Sequence, residues 1–377
     1  MLLKQGPSAQ STHATGKKQL QLVQRAKTIA RPLTGGHTRL AGQRCVHNGY
    51  RSTRLSALSP FQEENAAVPR TPPKGKGNIQ LPYTQHKWEW RGHKINYATA
   101  GCGKPIILVH GFGLSSSHYR KTVAELSKGY KVYAVDLLGF GASSKPTTIQ
   151  YSMDLWRDLI VDFMQEFTSG AEGGATLVGN SIGSLACLMA AANSPDDAVR
   201  GVVLLNSAGA MNNKGILSDW RIVLVYPLLL FIDFILSIPA FAQVLFSRFA
   251  TKENIKEVLK SVYMNTEAVT DELVELIYAP SLDAGARDVF VSVITGPPGP
   301  KPWALVPEIS CPILVLWGDK DTLTPADGPV GKFFQLLPNS RPNTSFTFLP
   351  DVGHCIHDDR PEVVHAELVP WLDKLHR

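Results

Sequence analysis

From about residue 87 the chain alternates short continuous apolar runs with longer amphipathic stretches. Lys87–Trp90 and Lys94–Ala98 flank Arg91-Gly92-His93 and predict a β-hairpin. Pro105–Val109, Lys131–Asp136, Thr176–Val178, Gly201–Asn206, Pro312–Trp317 and Ser345–Leu349 read as strands, and Pro105–Val109 suits a central strand buried on both faces. Between them, Ser117–Lys128, Met153–Phe167, Leu185–Asn193 and Glu362–His376 read as helices. Strands alternating with helices predict an α/β fold, a mostly parallel central sheet with helices on both faces.

The alternation stops between about Ala210 and Lys301, where no strand-like run is visible. A helical lid inserted after the sixth strand is therefore expected. Within it, Ile222–Phe246 carries one charge, Asp233. By length this run would span a bilayer. Pro227 and Pro239 are expected to interrupt it, and it reads as one or two lid helices that face the active site or dip into a membrane surface. The domain plan is a core over 87–209, a lid over 210–301 and the rest of the core over 302–377.

Composition changes the reading only at the N-terminus. An apolar share of 44% and a charged share of 19% suit a globular protein with a good core. The net charge of +6 is misleading, because ten Lys and Arg precede Glu63, the first acidic residue. Without those ten, 28 basic residues face 32 acidic ones, a net of −4 that gives nucleic-acid binding no support. Residues 1–62, rich in Ser, Thr, Arg and Gln, read as a chloroplast or mitochondrial transit peptide, and 63–86 as a linker. The five cysteines lack Cys-x-x-Cys spacing, so neither a metal site nor a disulfide framework is indicated.

The chemistry gathers at Gly179-Asn180-Ser181-Ile182-Gly183, between a strand and a helix. Ser181 at such a strand-to-helix turn is a candidate nucleophile; glycines at 179 and 183 would remove Cβ atoms that crowd the turn. A serine nucleophile needs a base and a carboxylate to orient that base. Asp319 and Asp321 follow the strand ending at Trp317, and His354 and His357 follow the last strand. Two backbone donors for an oxyanion are expected at Ile182, directly after the serine, and at Phe112 in His110-Gly-Phe-Gly113. His110 itself reads as a structural, hydrogen-bonded residue.

These motifs, in this order, resemble the α/β-hydrolase superfamily over roughly residues 88–374. Gly318-Asp-Lys-Asp321 is similar to that family's Gly-x-x-Asp turn and Gly353-His354 to its Gly-His signature. The resemblance implies Asp321 as catalytic carboxylate and His354 as base. Asp319 is left as a turn or surface carboxylate, and His357, with Asp358 and Asp359, as a helix cap or surface group. Ser184 stands where many relatives have a second glycine.

Further stretches resemble the plant chlorophyll dephytylases, chloroplast relatives of pheophytinase: Ala210–Lys214, Asp219–Arg221, Leu228–Phe234, Thr295–Pro300, Trp317–Lys332 and Gly353–Pro361. This resemblance implies hydrolysis of the phytyl ester of chlorophyll to chlorophyllide and phytol at the thylakoid membrane, with no cofactor and no protein-bound metal. An esterase for another chloroplast lipid, a pheophytinase-type enzyme and a hydrolase-fold ligand receptor are the competing readings.

Overall fold

The computed structural model describes residues 83–215 and 219–377. The transit peptide expected over 1–62, and the linker as far as residue 82, lie outside these residues. Strands β1 (Thr84–Trp90) and β2 (His93–Ala100) form the hairpin, starting three residues earlier than expected. Its turn is built on Arg91 and Gly92, both with positive φ (49° and 78°), as a tight two-residue hairpin requires.

Six further strands follow: β3 (Pro105–Val109), β4 (Lys131–Val135), β5 (Ala175–Asn180), β6 (Val199–Leu205), β7 (Ile313–Gly318) and β8 (Thr344–Leu349). The sheet order is β1-β2-β4-β3-β5-β6-β7-β8. Only the β1–β2 and β2–β4 pairings are antiparallel.

The central strands show why their runs are continuously apolar. Ile107 and Val109 of β3, and Ile313, Val315 and Trp317 of β7, point into one core; Ile106, Leu108, Leu314 and Leu316 point into the other. Helix α1 (Arg120–Leu126) covers the second face, and α2 (Met153–Thr168) and α3 (Ile182–Ala192) cover the first.

Between β6 and β7, no strand occurs among the described residues. The insertion comprises α4 (Trp220–Leu236), α5 (Pro239–Phe249), α6 (Lys252–Val262), α7 (Asp271–Ser281), α8 (Ala286–Thr295) and the short α9 (Pro302–Leu305). Pro239 takes the first position of α5, where its missing N–H costs nothing. Pro227, expected to break the run, is instead carried inside α4. No single described helix is long and apolar enough to cross a membrane; α4 and α5 reach that length only together and are bent by 108°. Along α4, Trp220, Leu224, Leu228, Phe231 and Phe234 are exposed at steps of three and four residues, so one whole apolar face meets solvent.

After β7, α10 (Pro329–Ser340) returns to the first face, and α11 (Ile356–Asp359) and α12 (Pro361–Leu375) close the chain on the second. Helix α10 was not expected. Pro329, Gly331 and Pro338 lie within it and mask its periodicity.

Candidate active site

Strand β5 runs straight into Ser181, and α3 starts at the next residue rather than at Leu185. Ser181 has φ 55° and ψ −121°, a conformation that a non-glycine residue adopts only where its surroundings impose it. The flanking glycines permit it. A Cβ on Gly179 would lie 2.4 Å from the Gly183 carbonyl, and one on Gly183 would lie 2.3 Å from the Val109 oxygen. Both obstacles are backbone, so neither can yield. Ser184, the departure from the second glycine, stitches the turn to β6: its Oγ donates to the Gly179 carbonyl (2.6 Å) and accepts from the Leu205 N–H (3.2 Å).

Asp321 and His354 come together from the loops after β7 and β8. His354 Nδ1 lies 2.8 Å from Asp321 Oδ2, and both residues are buried. Asp321 also accepts from the Leu323 and Thr324 N–H groups (2.8 and 3.0 Å) and from the Thr324 hydroxyl (2.5 Å). Burial alone would push its carboxyl up, but the His354 charge and these hydrogen bonds outweigh that and hold it below its ordinary range. Asp319 is a turn group, ion-paired with Lys320 (3.0 Å) at the surface.

The His354 loop is held from three sides. The His354 N–H donates to the Val262 carbonyl (2.8 Å) at the end of α6. Asn180 and Asn206 Nδ2 atoms both donate to the His354 carbonyl (3.2 and 3.1 Å), and Asn206 also reaches Gly353 (2.8 Å). Asp359 accepts from the N–H groups of Gly353 (2.7 Å), Met264 (3.0 Å) and Asn265 (2.7 Å), tying loop and insertion together. Neither asparagine was given a role from sequence, and Asp359 was expected only as a helix cap or surface group. The one signal was an Asn closing an apolar run, directly after it at 206 and one glycine later at 180.

Ser181, His354, Phe112 and Ile182 line one cavity of about 290 Å3, which Leu229, Ile232 and Asp233 of α4 also line. Ile182 opens α3, so its N–H has no intrahelical acceptor. The lone charge of the apolar stretch is accounted for here. Asp233 is turned to this cavity and paired with Lys214 (2.6 Å).

His110 does not join them. Its Nδ1 meets the Gly111 carbonyl (2.8 Å), and the Leu137 N–H donates to its Nε2 (3.0 Å). These partners assign the neutral, Nδ1-protonated tautomer. Burial, which pushes its pKa down, favours the same form.

His357 is a correction. Rather than capping a helix or lining the surface, it is fully buried with Asp358 and Asp359. His357 Nε2 contacts His118 Nδ1 (2.9 Å), His118 Nε2 contacts the Tyr263 hydroxyl (2.7 Å), and that hydroxyl donates to Asp358 (2.9 Å). Arg120 and Lys121 balance the Asp358 charge at 3.0 and 3.1 Å. Its place in α11 turns His357 inward. Among the described residues no group of three or more His, Cys, Asp or Glu is arranged to hold a metal ion.

Residues 106–367 match the family model described as "Alpha/beta hydrolase family". The chain belongs to the alpha/beta hydrolase family. It is similar to chloroplastic pheophytinase of Arabidopsis thaliana, 25% identical over 82% of this chain and 70% of that one. It is also 25% identical to Lipase 3 of Moraxella sp. (strain TA144), over 70% and 76% of the two chains. Among solved structures, a serine hydrolase involved in carbazole degradation superposes with a TM-score of 0.60 at 22% identity, covering 78% of this chain and 99% of that one. That likeness is one of fold.

Proposed function

We propose that this hydrolase is a serine esterase that cleaves the phytyl ester of chlorophyll, giving chlorophyllide and phytol. The observation that carries the reading is His354, paired with the buried Asp321 and lining the same cavity as a backbone-strained Ser181, beneath a wall of apolar helices. Ser181 Oγ attacks the ester carbonyl carbon while His354 takes its proton, and Asp321 holds the imidazole in the tautomer that can accept it. The N–H groups of Phe112 and Ile182 receive the oxyanion. Collapse expels phytol, which takes the proton from His354. Water, deprotonated by His354, then attacks the acyl-serine carbonyl; Ser181 regains its proton and chlorophyllide is released.

Three further points support the pigment and its setting. The similarity to a pheophytinase reaches through most of the chain. The exposed apolar face of α4 suits the surface of a bilayer. The acid-free, Ser- and Arg-rich first 62 residues suit import into the chloroplast. On this reading α4–α9 form the lid, and the enzyme works at the thylakoid membrane.

The test is purified protein in mild detergent, given chlorophyll a and separately pheophytin a, with the products resolved by chromatography and Ser181→Ala as control. Chlorophyllide formed only when Ser181 is intact upholds the reading. Pheophorbide alone reassigns the protein to a pheophytinase role. Neither product, with a long-chain lipid ester cleaved instead, favours a lipid esterase, for which the similarity to Lipase 3 speaks.

A further inference from the structure

A second cavity adjoins the first. It measures about 260 Å3 and meets the Ser181 cavity at Phe112, which lines both. Its walls come from the oxyanion loop, from Phe140 and from α5 to α8. The Phe112 ring lies 5.9 Å from Phe140 and 5.8 Å from Phe290. Phe290 in turn lies 5.5 Å from Phe246 and 6.2 Å from Phe249, giving a continuous aromatic wall.

The lining has almost nothing to offer a polar ligand. Lys145 Nζ is committed to the Gly141 carbonyl (2.6 Å) and Asp283 (2.7 Å), and Ser281 Oγ to the Tyr278 carbonyl (2.7 Å). The Ser181 cavity differs: it has Asn212, Thr324 and the Lys214–Asp233 pair on its walls. A polar group in the second cavity would lose its hydration without replacement. At about 260 Å3, moreover, it lies below the range for whole drug-sized ligands. It suits one part of a substrate.

We infer that the cavity walled by Phe112, Phe140, Phe246, Phe249 and Phe290 receives the long hydrocarbon chain of the ester, while the polar-edged Ser181 cavity holds the carboxyl end. This rests on the esterase reading and, for the phytyl chain, on chlorophyll as substrate. It makes the chain, rather than the macrocycle, the part that decides selectivity. Each methylene moved from water into such a site is worth about fourfold in kcat/KM, so rates climb steeply with chain length until the cavity is full.

The experiment uses the full chain in mild detergent and compares the phytyl and methyl esters of one chlorophyllide. Two variants fill the cavity from partly buried wall positions, Ile277→Trp and Ala250→Trp, so misfolding of one leaves the other. The expected result is a wild-type preference for the phytyl ester of at least a hundredfold, with the phytyl-to-methyl ratio of kcat/KM falling at least tenfold in the variants. An unchanged ratio overturns the inference. If wild type cleaves neither pigment ester, the pigment reading fails by itself and p-nitrophenyl esters of two, eight and sixteen carbons decide the cavity. A long-chain preference that the variants abolish sustains it; a flat profile, an unaltered preference or no cleavage of any ester overturns it.

Discussion

Replacing Asp359 with asparagine tests how the His354 loop is held. The carboxylate receives three backbone N–H groups, two at Oδ2 from Gly353 and Met264 and one at Oδ1 from Asn265. Asparagine is nearly isosteric, so it opens no cavity. In its better orientation its oxygen keeps the two Oδ2 bonds, and its NH2 group then faces the Asn265 N–H, donor against donor. One hydrogen bond to a charged group is lost, worth about 1.5–3 kcal/mol, and a buried N–H is left unpaired. Asp359→Asn should thus lower unfolding stability by about 2–4 kcal/mol in urea titrations at pH 7.5. Gly353 precedes His354, so the imidazole should lose its fixed aim, lowering kcat by about 10- to 100-fold with KM changed much less. A variant within about 0.5 kcal/mol of wild type and at full turnover would show that Asp359 neither clamps the insertion nor positions the histidine.

Ser181→Ala should lower ester turnover by several orders of magnitude while pigment binding, followed by fluorescence quenching, persists; wild-type rates would remove Ser181 from the chemistry. Gly183→Ala should cost about 3 kcal/mol or more, because the new methyl meets the Val109 and His110 carbonyls, and an unchanged denaturation midpoint would contradict the packing described. Burial pushes His118 down to about 4 against an ordinary 6.5. Its folded pKa is depressed, so the unfolded chain binds more protons between those values, and stability that is complete above pH 6.5 drains away as pH falls toward 4. The loss from His118 is about 2 kcal/mol by pH 5, and His357, lowered well below its ordinary value, acts in the same direction. Urea midpoints that coincide at pH 7.5 and 5 would refute this. Leu224→Ser with Phe231→Ser, both exposed on α4 (72% and 57%), should weaken co-sedimentation with galactolipid vesicles about a hundredfold; unaltered binding would direct the membrane contact elsewhere.

How much of this was legible from sequence depended on whether the signal was local. Strands β3, β5 and β7 declare themselves because burial on both faces demands unbroken apolar runs. The turn at Ser181 was legible because the glycines flanking it at 179 and 183 are a local pattern, even though the backbone that Gly183 makes room for, at Val109 and His110, is distant in the chain. Helix α10 was missed because prolines sit at its start and near its end. His357-Asp-Asp359 looked like a surface cluster because charged residues are rarely buried unpaired. The groups that pay for its burial, His118, Arg120, Lys121 and Tyr263, lie far away in the chain. The clamps at Asn180, Asn206 and Asp359 were hidden for the same reason.

Phe112 offers a backbone N–H to the proposed oxyanion and a ring to both cavities. The two contributions are separable, because every residue but proline carries the same N–H whatever its side chain. Substrate preference at position 112 is therefore free to drift without passing through inactive intermediates. A saturation library at this codon should yield mostly active enzymes that differ in the chain they favour. Evolution could retune such a hydrolase from one hydrophobic ester to another with a single nucleotide change.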